Sequence, residues 1–326
     1  MNGYRWTFVA AWSLAITLPA FAGETQSYPT RPARIVAPFP PGGSTDVYAR
    51  IVAKELSSAL GQTFIIDNRP GGTGIIGTQT VRQAAPDGYT LLFTSNTAHA
   101  LGPLLKHPQP FEPVADFTPV TMAVRFPLYL IVHPSVPAST AKEFIAYART
   151  QQGRLNYASS GEGGLSHICP LLFNAAAGIR ATHIPYKGAA PGLQAVVSGE
   201  AQYRFDNIGT SQPLIVSGRL KGLALTGTAR SPAIPDIPTL SEVGVKGLES
   251  MYVWLGLLAP KGLPAALRDT LSNATIRIMK TPELAQKAAK DGYDIVASSP
   301  AQFANEMKQE IATLERVIRE NGIKTE

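Results

Sequence analysis

Arg34-Ile-Val-Ala-Pro-Phe-Pro-Pro-Gly-Gly-Ser-Thr-Asp-Val-Tyr-Ala-Arg50 reads as a buried strand, a tight glycine turn and the start of a helix. Ile35, Val36 and Ala37 form a short apolar run, and Pro38 to Pro41 end it. Gly42 and Gly43 let the backbone turn sharply and bring its amides close to a ligand. Ser44, Thr45 or Asp46 supplies a cap for the helix that follows. Free N–H groups and the positive end of the helix dipole converge on one spot, which suits an anion. The spacing is neither G-x-G-x-x-G nor the Gly-Lys-Ser/Thr of a phosphate-binding loop. Paired glycines exceed what a turn needs, so Phe39, Pro41, Gly42, Gly43, Ser44, Thr45 and Asp46 make up the first candidate site.

The chain has 326 residues, 44% hydrophobic and 16% charged, enough for a large core divided between two lobes. Its 29 Gly and 27 Pro suit many short strands and turns better than a helical bundle. Residues 1–22 read as a signal peptide for export to the periplasm. Arg5 provides the positive start, Trp6 to Leu18 carries no charge, and Ala20-Phe-Ala22 fits the small-x-small cleavage rule, which leaves Gly23 first. The apolar run is shorter than the roughly 20 residues of a membrane span. Cys169 is the only cysteine, so no intramolecular disulfide is expected. The net charge of +6 comes from scattered Lys and Arg, with no basic run and no aromatic interleaving. That pattern argues against a nucleic-acid partner, and its sign agrees with an anionic solute. A monomer is expected.

Strand-like and helix-like runs alternate, which predicts an α/β architecture with mainly parallel strands. Strands are expected at 33–37, 63–67, 90–94, 128–132, 155–158, 183–185, 202–206 and 222–226. Helices are expected at 46–60, 74–84, 141–151, 165–177, 190–198, 211–217, 264–280, 282–291 and 300–320. Proline-rich connectors at 107–119 and 231–238 bracket a central block. The simplest topology makes one lobe from 23–124 plus 230–326 and a second from 125–229. Two crossover segments then form a hinge, with a ligand cleft between the lobes.

Further candidates follow from the residues. Ser95, Asn96 and Thr97 stand just past a strand, where open α/β sheets place ligands. His99, beside them, reads as packed or solvated. Ser159, Ser160 and Gly161 repeat the sequence of strand, glycine turn and helix, with His167 as an orienting hydrogen-bond partner. Tyr186 and Lys187 stand ahead of another helix, and Lys187 serves either as charge steering or as a solvated side chain. Alternation along the next strand puts Arg204 and Asp206 on one face, and Tyr203 and Phe205 on the other. A buried Arg204 needs a partner. Asp206 is the simpler candidate, and a substrate acid group is the sharper one. Arg125 and Trp254 lie near the expected crossovers; Trp254 either closes one wall of the cleft or packs in the core.

In order along the chain, these segments resemble the Bug/TctC family of tripartite tricarboxylate transporter solute-binding proteins. The likeness runs through Pro38-Phe-Pro-Pro-Gly-Gly-Ser-Thr-Asp46, Asp67-Asn-Arg-Pro-Gly-Gly-Thr-Gly-Ile-Ile-Gly77 and Ala85-Pro-Asp-Gly-Tyr-Thr-Leu-Leu92. It continues through Leu155-Asn-Tyr-Ala-Ser-Ser-Gly161, Ile184-Pro-Tyr-Lys-Gly-Ala-Ala-Pro191, Phe205-Asp-Asn207 and Gly256-Leu-Leu-Ala-Pro260. The resemblance implies a type II periplasmic binding protein fold, a small carboxylate ligand and membrane transporter subunits as partners. It also implies that the first loop and the Ser159–Gly161 loop clamp one carboxylate, and that Tyr186-Lys187-Gly188 lines the cleft. Glu162 and Gly164 stand where relatives often carry small hydroxyl residues. Arg204 stands where they commonly carry an apolar one.

An enzyme reading lacks an anchor. There is no Gly-x-Ser-x-Gly elbow, and His99, His107, His133, His167 and His183 contain no i, i+4 pair of the zinc-helix type. No cofactor or metal is implied. A periplasmic sensor that hands its ligand state to a two-component kinase is the alternative binding role, which neighbouring genes would separate. A secreted enzyme on the same fold would show turnover.

Overall fold

A computed structural model describes residues 28–320 and 323. The expected signal at 1–22 and the start at Gly23 lie outside them. Among the described residues, eleven strands form two sheets. The first has the order β11 (Asp294–Ile295), β4 (Phe117–Pro127), β10 (Tyr252–Pro260), β3 (Thr90–Ser95), β1 (Ala33–Ala37), β2 (Phe64–Asn68). The second has the order β7 (Ala181–Pro185), β6 (Leu155–Ser159), β8 (Tyr203–Asp206), β5 (Tyr129–Val132), β9 (Lys221–Leu225).

β1 pairs in parallel with β2 and β3, and β6 with β7 and β8. The other pairings are antiparallel: β10 with β3 and β4, β11 with β4, and β5 with β8 and β9. The expectation of mainly parallel strands is therefore corrected to mixed sheets. The reason is topological. β4 carries the chain toward the second sheet through Leu128, and β10 brings it back beside β4, so the two neighbours must run in opposite directions. Pro119 within β4 sits at a register shift opposite Leu258, where a missing N–H is tolerated.

The helices are α1 (Ser44–Leu60), α2 (Ile75–Arg82), α3 (Gly102–Leu104), α4 (Ala141–Thr150) and α5 (Leu165–Ala177). They continue with α6 (Ala189–Val197), α7 (Ile208–Val216), α8 (Ala265–Met279), α9 (Pro282–Lys290) and α10 (Pro300–Glu320). Successive residues of β1 enter different cores. Ile35 packs with Phe93, Val124, Leu255 and Leu271, and Val36 packs with Leu92, Met122, Trp254 and Phe303. A strand covered on both faces needs an unbroken apolar run, which is what 35–37 supplies. In the second sheet Tyr203 and Phe205 pack with Phe144 and Phe173, while Tyr129 and Ile131 pack with Val196 and Ile208. No helix among the described residues is long and apolar enough to cross a membrane.

α10 straps the two sheets together. Phe303 and Met307 sit in the core of the first, and Leu314 in the core of the second. Between them, Glu310 Oε1 accepts from Asn96 Nδ2 at 2.5 Å, and Oε2 accepts from Trp254 Nε1 at 2.6 Å. Desolvation pushes this carboxyl up to about 7 against the two hydrogen bonds, with Glu306 adding to the rise. Glu310 also lines a cavity of about 490 Å³, so its surroundings are partly open and the effect on stability is modest. The folded chain keeps a proton on Glu310 that the unfolded chain releases above about 4.5. The stability this provides is full below that value and is lost as pH rises through about 7. In urea titrations, Glu310→Gln should remove about 1–2 kcal/mol of the decline between about pH 5 and 8. Equal slopes in the parent and the variant would show that Glu310 is not its source.

Candidate ligand-binding site

After β1 the chain turns through Gly42, at φ 90°, into α1. Gly43 precedes the helix in an extended conformation, φ −80° and ψ 169°, and no side chain caps the first turn. The expectation of a cap from Ser44, Thr45 or Asp46 is corrected, because the helix already begins at Ser44. α5 starts in the same way from Gly164, φ −89° and ψ 163°, again without a side-chain cap. α6 starts from Gly188 at φ 120°, also uncapped. Side-chain caps close α4, where Thr140 accepts from the Glu143 amide, and α7, where Asn207 accepts from the Gly209 amide, whereas α2, α8 and α9 also lack one. Uncapped first turns leave N–H groups without acceptors and a positive potential in front of them.

Asp46 holds the first loop in shape. Its Oδ2 accepts from the Gly42 amide and from Arg50 Nε, both at 3.0 Å, and its Oδ1 accepts from Asn68 Nδ2 at 2.9 Å. Asn68 Nδ2 also lies 3.2 Å from the Phe39 carbonyl. Burial pushes the Asp46 carboxyl up, but the bonds from Arg50, Gly42 and Asn68 outweigh it and hold it below its ordinary value. Thr45 is buried, Phe39 and Ser44 are half-buried, and Pro41 is exposed. A Cβ on Gly42 or Gly43 would meet nothing within 4 Å.

Ser95 and Asn96 are buried. The Asn96 amide donates to the Tyr252 carbonyl at 2.8 Å and to Glu310, toward α10 and away from the glycine loops. Thr97 opens a π-helical turn, Thr97–Leu101. Its methyl lies 3.4 Å from where a Cβ on Gly164 would stand, so this segment of the first sheet meets the glycine loop of the second. His99 is fully buried against Phe117, with Nε2 2.7 Å from the Pro113 carbonyl. Burial pushes its imidazole down to about 4, as for a packed histidine.

In the second sheet, Ser159 is buried and Ser160 half-buried. Ser160 is tied to Ser166 through its amide at 3.0 Å and its hydroxyl at 2.8 Å. Gly161 has φ 136°, and Glu162 is exposed. His167 Nδ1 accepts from the Gly163 amide at 3.2 Å. The Gly188 amide donates to the Ser160 carbonyl, and the Tyr186 amide to that of Ser159, which sets the two loops side by side. Tyr186 is half-buried and Lys187 exposed.

Arg204 and Asp206 are both buried and paired, Nη2 to Oδ1 at 3.0 Å, which is the simpler of the two sequence readings. Arg204 Nη1 donates to the Ala189 carbonyl at 2.9 Å, and Thr210 Oγ1 donates to Asp206 Oδ2 at 3.2 Å. A Cβ on Gly192 would come within 2.8 Å of both Arg204 Nη1 and the Ser159 carbonyl, so only glycine lets α6 lie over the pair.

Trp254 and Arg125 lie on neighbouring strands of the first sheet. They pair across β10 and β4 and line the α10-side cavity with Tyr252, Glu306 and Glu310. That lining includes Leu165, which follows Gly164 at the start of α5, but no residue of 40–46 or 159–164. Trp254 is 4% exposed and packs with Phe303, and it also lines that cavity. Two residues absent from the sequence reading belong to the loops. His183 Nε2 lies 2.7 Å from the Ser159 hydroxyl. The Tyr293 phenol faces Ser44 and accepts from Asn207 Nδ2, so it joins the first loop to the cap of α7. His183 was within reach as the strand partner of Tyr157, whereas nothing local marks Tyr293.

The family model described as tripartite tricarboxylate transporter family receptor matches residues 48–323. The chain is similar to the periplasmic binding protein BugD, with 30% identity, a TM-score of 0.84, and coverage of 92% of this chain and 100% of that one. It is similar to Rpa4515 of R. palustris, solved with adipate, with 34% identity, a TM-score of 0.86, and coverage of 91% and 99%. MatC from Rhodopseudomonas palustris, solved with bound malate, shows 31% identity, a TM-score of 0.82, and coverage of 89% and 100%. The chain therefore belongs to the tripartite tricarboxylate transporter receptor family, the TctC or Bug family of periplasmic solute-binding proteins, with their two-lobed type II binding-protein fold.

Proposed function

We propose that this protein is the exported capture component of a tripartite tricarboxylate-type uptake system, and that it closes on a small dicarboxylate. The observation that carries the reading is the pair Gly43 and Gly164. Each is an extended glycine in the loop after a parallel strand, one in each sheet, and each starts a helix whose first amides no side chain caps. One carboxylate can accept from both sets, directly or through ordered waters. Adipate and malate in the two relatives each carry two such groups. Exposed Lys187, beside the uncapped start of α6, would draw the distal one.

The mechanism is capture without chemistry, as befits a family of solute-binding proteins. The lobes at 23–124 plus 230–326 and at 125–229 would turn about Leu128 and the returning segment before β10. Closure would exclude water and present a face that the membrane subunits recognise. N-terminal sequencing of exported protein should begin at Gly23; residues 1–22 retained in a membrane fraction would contradict export by cleavage.

A thermal-shift screen of small carboxylates tests the reading, since a ligand at about a hundred times its Kd adds about 2.7 kcal/mol. No shift with any mono-, di- or tricarboxylate would overturn it. Gly43→Val probes the loop itself. The native φ of −80° suits valine and its Cβ meets no atom, so the fold should stand while the branched side chain enters the ligand's space. Calorimetry with adipate and malate should show a loss of at least about tenfold, or about 1.4 kcal/mol. Parent-like affinity would remove the first loop from the site.

Arg204→Met should leave the Asp206 carboxylate buried without its cation and cost about 3–5 kcal/mol. Adding Asp206→Asn should restore most of that in urea unfolding. A stable Arg204→Met protein with an altered preference between adipate and malate would mean that Arg204 reads the ligand.

A further inference from the structure

Beneath the Ser159–Gly164 loop, two imidazoles lie face to face. The His167 and His183 rings are 3.9 Å apart and 6° from parallel. Tyr157 stacks on His183 at 5.0 Å and on His167 at 6.4 Å. The rings come from different elements, His167 from the first turn of α5 and His183 from β7, opposite Tyr157 of β6.

Each ring holds one end of the loop. The Ser159 hydroxyl lies 2.9 Å from the Gly161 carbonyl, 3.2 Å from the Gly161 amide and 2.7 Å from His183 Nε2. A hydroxyl has one proton to donate. With that proton on the Gly161 carbonyl, the oxygen accepts from the Gly161 amide and from His183 Nε2–H. At the other end, His167 Nδ1 accepts from the Gly163 amide at 3.2 Å, so Nδ1 carries no proton. In this arrangement His167 is neutral with its proton on Nε2, and His183 carries a proton on Nε2.

We propose that His167 and His183 are positioning residues of the carboxylate site, that they hold the Ser159–Gly164 loop in its binding shape only while both are neutral, and that a proton on the pair releases the ligand. The proposal rests on the carboxylate reading of this loop given above. A proton on His167 Nδ1 turns an acceptor into a donor facing another donor, and the Gly163 amide loses its partner. A proton on His183 keeps the bond to Ser159 but sets an imidazolium against the face of His167. A second proton would place two cations 3.9 Å apart.

The surroundings favour the neutral pair. Burial pushes both imidazoles down, and the neighbouring His167 pushes His183 further, to about 4. The titratable groups that face the pair are Tyr157 of β6 and, behind it, Tyr203 of β8 at 5.7 Å; burial raises both phenols, so they stay uncharged. Glu162, in the loop itself, is exposed. The neutral pair is therefore intact near pH 7, the first proton goes on below the ordinary histidine range, and His183 takes one only toward about pH 4.

The test uses the full exported chain with adipate and malate as probes. In His167→Asn/His183→Gln, Asn Oδ1 replaces the Nδ1 acceptor and Gln Nε2 replaces the Nε2–H donor, and neither titrates. Between pH 7 and 4.5 the parent should lose at least about tenfold more affinity than this variant, a difference of one decade in Kd. The probe's own carboxyls titrate alike against both proteins, so the difference belongs to the imidazoles. Parallel profiles with intact binding at pH 7 would overturn the device alone. No binding by the parent at pH 7 would refute the carboxylate reading, and the device with it.

Should the double variant fail to fold, nitrogen-resolved NMR of the parent's histidine rings decides. By linkage, saturating adipate should lower the pKa of the pair, since the ligand binds the neutral form. An anion placed nearby without this coupling would raise it. A raised or unchanged pKa, or an Nδ1–H form of His167 at pH 7, overturns the proposal.

Discussion

A backbone amide that has lost its helical partner must find another acceptor, and three helices beside the candidate loops leave that need open. α1, α5 and α6 each begin at a glycine, and no side chain closes their first turns. A serine or aspartate at any of these positions would satisfy the amides internally. Glycine leaves them without a side-chain acceptor.

The charged residues near these turns are largely arranged so as not to compete. Asp46 is engaged by Gly42, Arg50 and Asn68, and it shapes the first loop from behind. Asp206 is engaged by Arg204 and Thr210 below α6. A free carboxylate at either place would repel an anion, whereas a paired one lends rigidity. Each pair also depends on its surroundings: Arg204 fits only because residue 192 has no side chain. The Ser159–Gly164 loop is held by Ser166 and by the His167 and His183 imidazoles.

The elements that touch both sheets come from distant parts of the chain. α10 carries Phe303 in one core and Leu314 in the other, with Glu310 bonded to the strand end at Asn96 and to Trp254 on β10. On the first-loop side, Tyr293 stacks with Tyr48 and meets Asn207 at the start of α7. A change at any of these contacts therefore bears on the angle between the lobes as well as on local packing.

The sequence by itself determined the elements and the loops. The apolar run at 35–37 and the paired glycines specify β1 and the first turn through sterics that act over a few residues. The Arg204–Asp206 pair was legible for the same reason, since alternation along a strand sets its facing. β4 and β10 were not legible, because prolines break the strand signal and their pairing joins residues more than a hundred positions apart. Only the tertiary structure decided what the candidate side chains do. Asn96 and Trp254 turn to Glu310, His99 turns to Pro113, and His183 and Tyr293 join the loops. Local sequence sets where a backbone turns, but a buried polar side chain takes whichever partner long-range packing brings within about 3 Å.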